Sequence, residues 1–260
     1  MEKPRIPIIE LDSIVKRFGG HETGTLALNN VSVSVFPREI VAIVGESGSG
    51  KSTLARVALG LTEPNQGTVR LKGHDIKSLS REQYRSLRPV VQPIFQDSHG
   101  SLNPRRSLAS TLRQVLPRGT GTEVYEGLLR SVGLNPPQRY LARYPSELSG
   151  GQRQRFSIAR ALASNPEMII ADEPLSGADV SNRGQLLNLM LDLAAERRTA
   201  YMMITHDISI AKGFAHRVIV MHKGSIVEAG PSSVVLQDPK DAYTRRLVAA
   251  SPDLIQILSK

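Results

Sequence analysis

The run Gly45-Glu-Ser-Gly-Ser-Gly-Lys-Ser-Thr53 carries the most explicit chemistry in the chain. A glycine, four free positions and then Gly-Lys-Ser is the spacing of a phosphate-binding P-loop. Its glycines let the backbone curl until several N–H groups face one anion, and a helix starting there adds the positive end of its dipole. On this pattern Gly45, Glu46, Ser47, Gly48, Ser49, Gly50, Lys51, Ser52 and Thr53 make a cradle. Lys51 offers a point charge to the β- and γ-phosphates, and Ser52 a hydroxyl to Mg2+. A glycine-rich turn that binds nothing is the plain alternative, but a buried strand before the loop and a helix after it are what a P-loop needs. A dinucleotide fingerprint fails, because its third glycine would fall at Thr53.

Met168-Ile-Ile-Ala-Asp172-Glu173 reads as an apolar strand ending in two carboxylates. Asp172, at the strand's end, is placed to reach a Mg2+ shell. Glu173 is aimed toward the γ-phosphate, where a carboxylate can orient and deprotonate an attacking water. Without the P-loop upstream the pair would be an ordinary exposed turn. Leu148-Ser-Gly-Gly-Gln152 opens a helix, so Ser149, Gly150, Gly151 and Gln152 make a second place where backbone N–H groups and a hydroxyl address phosphate. A simple N-cap at Ser149 is the other reading.

These residues need a scaffold that brings strand ends together. Ile40-Val-Ala-Ile-Val44, before the P-loop, is an apolar β-branched run suited to a buried parallel strand, and a helix is expected from Leu54 to Leu61. Ahead of it, Ile8 to Val15 alternates and Leu28 to Phe36 reads as its antiparallel partner, predicting a small β layer beside the nucleotide site. Gly67 to Gly73 is strand-like, Ser80 to Arg88 a polar helix, and Val90 to Phe95 a strand that Pro93 confines to an edge or a bend. From Asp97 to Glu147 apolar residues recur at helical spacing in short pieces broken by Asn103-Pro104, Gly119-Thr-Gly121 and Asn135-Pro-Pro137. Strands and helices then alternate: helix Gly151 to Ala163, strand Met168 to Ala171, helix Asn182 to Glu196 and strand Ala200 to Thr205. Two strands, Arg217 to Met221 and Ser225 to Glu228, and helices from Ser232 and Asp241 complete the chain. The fold class expected is α/β, a mostly parallel sheet of the P-loop NTPase kind with an N-terminal antiparallel layer. It is expected as one domain over 1–260, with a catalytic core of 1–96 and 151–260 and an inserted helical subdomain at 97–150.

A chain of 260 residues can bury a sizeable core. It has no cysteine, so disulfides, thiolate metal sites and cysteine catalysis are excluded, and a reducing cytoplasm fits. The net charge of +9 comes from lysines and arginines spread along the chain, and nucleic acid is not an expected partner. No segment approaches the ~20 apolar residues that cross a bilayer, so work at a membrane would require docking onto other subunits.

In order, the chain also shows an aromatic at Phe18, Phe95-Gln96-Asp97, Ser176-Gly-Ala-Asp179 and Thr205-His206-Asp207. With the P-loop, Leu148 to Gln152 and Ile169 to Glu173, these make seven motifs in which the chain resembles the ATP-binding subunits of ABC transporters over nearly its whole length. The resemblance implies a head-to-tail dimer sandwiching two ATPs, each between the P-loop and carboxylates of one subunit and the Leu148–Gln152 signature of the other. It implies that Phe18 stacks on adenine, that Gln96 senses the γ-phosphate, joins the Mg2+ shell and lies near the contact with membrane subunits, and that Asp179, at the dimer seam, is one of the nucleotide-binding residues. His206 would hold the γ-phosphate and the attacking water. ATP and Mg2+ are the implied cofactors, with two transmembrane permease subunits as partners, an extracytoplasmic solute-binding protein as an indirect one, and the cytoplasmic face of the membrane as the place of work.

Val44-Gly-Glu-Ser-Gly-Ser-Gly, Ser101-Leu-Asn-Pro-Arg105, Arg143-Tyr-Pro-Ser-Glu-Leu-Ser-Gly-Gly and Asp238-Pro-Lys-Asp-Ala-Tyr-Thr look like the second ATPase subunit of oligopeptide, dipeptide and nickel importers. That likeness favours a heterodimer of ATPase subunits over a homodimer. Gly177-Ala178 departs from the Ala-Leu usual before the seam aspartate, and the cysteine-bearing C-terminal extension of many peptide importers is missing. The alternatives are an ATPase component of a soluble complex, as in carbon–phosphorus lyase, or a translation or DNA-repair factor of the same superfamily. The latter usually carry tandem ATPase domains or a long coiled-coil insert.

Overall fold

Ile40-Val-Ala-Ile-Val44 is buried at every residue and lies inside a sheet, as an unbroken apolar run requires. In the computed structural model, which describes residues 5–19, 24–96, 100–176 and 180–250, this strand is one of ten. They are β1 (Ile9–Phe18), β2 (Thr25–Val35), β3 (Ile40–Val44), β4 (Gln66–Leu71), β5 (His74–Asp75), β6 (Val91–Ile94), β7 (Met168–Asp172), β8 (Ala200–Thr205), β9 (Arg217–His222) and β10 (Ser225–Pro231). Two sheets result, ordered β2-β1-β4-β5 and β10-β9-β3-β8-β7-β6. The first is antiparallel. The second is parallel from β9 to β6, and β10 folds back antiparallel on β9. Pro93, which has no N–H to give a ladder, sits in β6 at the sheet edge.

The parallel sheet is covered on both faces, and its side chains alternate between two cores. Ile169, Ala171, Tyr201 and Met203 face one core with Phe156, Leu186 and Met190. Ile170, Met202 and Ile204 face the other with Leu54, Val57 and, from the antiparallel sheet, Ile9, Leu11 and Val33. The antiparallel sheet therefore clamps the helix that follows the P-loop against the parallel one.

That helix, α1, spans Lys51–Ala58 and begins inside the glycine loop, ahead of the Leu54 start expected from the apolar spacing. Gly50 caps it from a left-handed conformation at φ 102°, so Lys51 is already helical. A polar helix, α2 (Arg81–Leu87), starts at a reciprocal Ser80–Gln83 capping box. Between β6 and β7 run α3 (Leu108–Leu112), α4 (Thr122–Ser131), α5 (Gln138–Leu141) and α6 (Gly150–Leu162). The first three are short because proline and glycine interrupt them, and Leu108, Leu112, Leu128 and Leu129 bury against α6. The rest are α7 (Val180–Arg197), α8 (Ile208–Phe214), α9 (Ser232–Val235) and α10 (Ala242–Ala249).

Candidate nucleotide-binding site

The P-loop leaves β3 at Val44 and is squeezed between β2 and β9. A side chain on Gly45 would meet the Met221 carbonyl at 2.2 Å, and one on Gly50 the Ala27 carbonyl at 2.4 Å, so both positions require glycine by space as well as by their positive φ. Inside the curl, the buried Lys51 ammonium donates to the carbonyls of Gly45 and Glu46, each at 2.7 Å, and to Ser49 Oγ at 3.3 Å. Burial lowers its pKa, against the pull of Glu173, Asp172 and Glu46. A triphosphate seated in the loop would offer this ammonium stronger, charged acceptors than those carbonyls.

Across the sheet, Ser52 Oγ donates to Asp172 Oδ1 at 3.0 Å. Burial raises the Asp172 pKa; the Ser52 bond opposes this, neighbouring Glu173 adds to it, and Arg56 and Lys51 oppose it. A hydroxyl and a carboxylate oxygen side by side beneath a phosphate loop suit Mg2+, which takes oxygen ligands and completes its shell with water and phosphate.

Glu173 follows at φ 46°, a left-handed conformation that is unfavourable for a side chain of its kind. It is held there from both sides: its N–H donates to the Ile204 carbonyl at 2.9 Å, and Ser176 returns its N–H at 3.1 Å and its hydroxyl at 2.9 Å to the Glu173 carbonyl. The kink aims the carboxylate between two partners. Gln96 Nε2 donates to Oε2 at 2.9 Å, and His206 Nδ1 lies 3.2 Å from Oε1. Gln96 is expected at the metal as well; with Nε2 on Glu173, its Oε1 is the atom that would ligate. These groups share an open cleft of about 670 Å3, lined by Thr25 to Ala27, the P-loop, Gln96, Glu173, His206 and Leu247.

Phe18 stands outside that lining. It ends β1 opposite Thr25, is 44 % exposed, and carries the Lys16 ammonium 5.1 Å from its ring centre. Asp179 lies outside the described residues, as do Asp97, Gly177 and Ala178. Ser149 to Gln152 line a separate surface with Gly133, Tyr140, Arg155 and Asn182. There Ser149 caps the helix: its Oγ accepts the Gln152 N–H at 3.3 Å and its N–H donates to Gln152 Oε1 at 3.0 Å. Among the described residues, none lines both surfaces.

Two contributors escaped the sequence reading. Tyr243 and Leu247 of α10 reach the P-loop from the far end of the chain, the first accepting the Glu46 N–H at 2.9 Å and the second lining the cleft. In sequence, Asp238 to Thr244 reads only as a subfamily trait and Leu247 lies beyond it, so nothing there points to the loop.

A glycine loop between a buried strand and a helix, its serine bonded to an aspartate that ends β7 with a glutamate directly after it, defines a P-loop nucleoside triphosphatase. Residues 28–176 match the ABC transporter family, and the chain belongs to it. Its fold and site are those of an ATP-binding cassette. The chain is 44% identical over 259 residues to the glutathione import ATP-binding protein GsiA of Salmonella paratyphi A, covering 95% of this chain and 41% of that protein. It is 42% identical over 260 residues to GsiA of Escherichia coli K12, with the same coverage. The chain thus spans about two-fifths of the length of these curated relatives. Among solved structures it resembles the dimeric ATP-binding cassette MJ0796 bound to ADP and Pi, with a TM-score of 0.76 and 28% identity over 86% of this chain and 98% of that one. CbiO1 of Clostridium perfringens, at 23% identity and a TM-score of 0.77, covering 98% of this chain and 99% of that one, shares the fold.

Proposed function

We propose that this cassette energises import of a small peptide-type solute by closing and reopening an ATP-bound dimer, with Glu173 as the general base. The observation that carries this is the Glu173 carboxylate, fixed between Gln96 and His206 on one wall of the cleft while Lys51 and Ser52 stand on another. Glu173 takes the proton of the attacking water as the water oxygen bonds the γ-phosphorus and the bond to the β,γ-bridging oxygen breaks, releasing ADP. His206 and Gln96 hold the carboxylate in line and then turn to the γ-phosphate oxygens. Lys51 exchanges its loop carbonyls for phosphate oxygens. Mg2+, held by Ser52 and Asp172, would neutralise charge on the β- and γ-phosphates.

The signature surface at Ser149 to Gln152 serves the cleft of a second cassette, because within this chain the two surfaces do not meet. The MJ0796 cassette is dimeric by description, which supports the same arrangement here. Differential affinity for MgATP in the closed form is what drives closure. A second ATP-binding subunit is the favoured partner, and residues 97–150 act as a lobe that carries the signature. The relatives named for import of glutathione, a tripeptide, favour a peptide-type solute over nickel.

The coupling to transport is proposed through a groove of about 320 Å3 lined by Leu59, Leu61, Ile76, Tyr84, Pro93 and Phe95. It begins at the residue before Gln96, has an apolar floor, and leaves Leu61 55 % exposed. No helix among the described residues is long and apolar enough to cross a membrane, so permease subunits would supply the membrane path, with the cassette docked peripherally on the cytoplasmic face. Co-purification is the test: a detergent-dependent complex with polytopic subunits and solute-stimulated ATPase supports import. A detergent-independent complex lacking polytopic subunits would replace the import reading with that of an ATPase in a soluble assembly.

A further inference from the structure

Glu46 N–H and Gly45 C=O belong to one planar trans peptide, so they point in opposite directions. The carbonyl points into the P-loop and holds Lys51 Nζ at 2.7 Å, while the N–H points out to Tyr243 Oη at 2.9 Å. The Tyr243 hydroxyl oxygen thereby fixes the rotation of the peptide that steers the lysine. A flip of that peptide would turn the N–H toward the ammonium, where it repels, and the carbonyl outward.

Tyr243 is itself firmly placed. Its ring lies on His222 at the end of β9, centroids 3.9 Å apart at 33°. The Asp241 carboxylate caps its helix by accepting the N–H groups of Tyr243 at 2.8 Å and Thr244 at 3.3 Å. Glu228 of β10 in turn accepts the N–H groups of Lys240 at 2.9 Å and Asp241 at 3.1 Å. Leu247, one turn further along the same face of α10, lines the nucleotide cleft. The helix start, an aromatic stack and a hydroxyl thus converge on one loop amide, from a residue 197 positions away in sequence.

We infer that Tyr243 is a positioning residue for the phosphate loop, holding the Gly45–Glu46 peptide so that Lys51 is presented to the nucleotide. The inference rests on Gly45 to Thr53 being the phosphate cradle. The substitution Tyr243→Phe removes only the oxygen and keeps the stack and the packing. Its MgATP dissociation constant, measured by calorimetry on the full chain, rises about three- to tenfold, because the freed peptide leaves only about a tenth to a third of the molecules ready to present the lysine. KM rises in parallel, whereas kcat at saturation stays within about twofold because Glu173 is untouched. Melting of the nucleotide-free protein falls only slightly, through the loss of one hydrogen bond that the free form also makes. The Glu46 amide exchanges its hydrogen faster by NMR, measured well below that transition. An unchanged affinity, or an unchanged Glu46 exchange rate, would overturn the inference. Lys51→Ala, run alongside, separates the two ideas: if it binds MgATP like the parent, the cradle reading fails whatever Tyr243 does.

Discussion

At the scale of single residues, the site is arranged at some expense to the free protein. Glu173 occupies a left-handed backbone conformation, and three backbone or hydroxyl bonds keep it there. The charge on its neighbour Asp172 is disfavoured by burial. If Glu173 is the general base, Glu173→Gln keeps the hydrogen-bonding shape, retains MgATP, and lowers kcat by a factor of about 10² to 10⁴ in a phosphate-release assay. Near-normal turnover would remove Glu173 from that role. Asp172→Asn separates stability from function. A carboxyl whose pKa is raised by folding binds its proton more tightly folded than unfolded. Ionised Asp172 therefore destabilises the fold above both pKa values, a penalty that fades as pH falls through the raised one. The nucleotide-free Asn variant should melt higher than the parent near neutral pH and converge with it in acid, while Mg2+-dependent turnover is lost. A lower melting temperature near neutral pH would contradict that balance. The sequence disclosed these residue types because each sits in a motif whose spacing is local. It could not disclose that Gln96 binds Glu173, which depends on where the ends of β6 and β7 meet, nor that Lys51 rests on its own loop, which depends on how that backbone curls.

At the scale of elements, β3 and β8 were legible to the residue, since an apolar run bounded by polar residues leaves little choice of ends. The helix after the P-loop was misplaced at its start because glycine and serine look like loop, yet Gly50 acts as a left-handed cap and the helix begins at Lys51. The breaks at 97–150 were visible, but the packing of α3 and α4 on α6 was not, as it joins leucines far apart in the chain. The pivot of that packing is Phe156 of α6, fully buried between the parallel sheet and the inserted helices. Phe156→Ala should destabilise the protein by about 3–5 kcal/mol in denaturant unfolding. A loss under about 1 kcal/mol would mean that the lobe carrying the signature packs independently of the sheet. Tyr243 was illegible for a related reason: a helix start and a tyrosine look ordinary until the fold brings them to the loop.

At the scale of the whole molecule, one chain displays two surfaces proposed to face phosphate, and they do not meet. The P-loop cleft is lined by the lysine, the serine that bonds Asp172 and the candidate base. The Ser149–Gln152 surface has a helix start and glycines but none of the cleft's carboxylates. Sequence order could place both motifs on one chain, and only the fold shows their walls to be separate. Completion of the site by another cassette is the central claim, and it is tested most directly by measuring ATPase specific activity against subunit concentration while particle mass is followed by sedimentation. Particles proven monomeric should bind MgATP yet hydrolyse it negligibly, with activity rising as the dimer fraction grows or as a partner cassette is added. Full turnover in a proven monomer would contradict it.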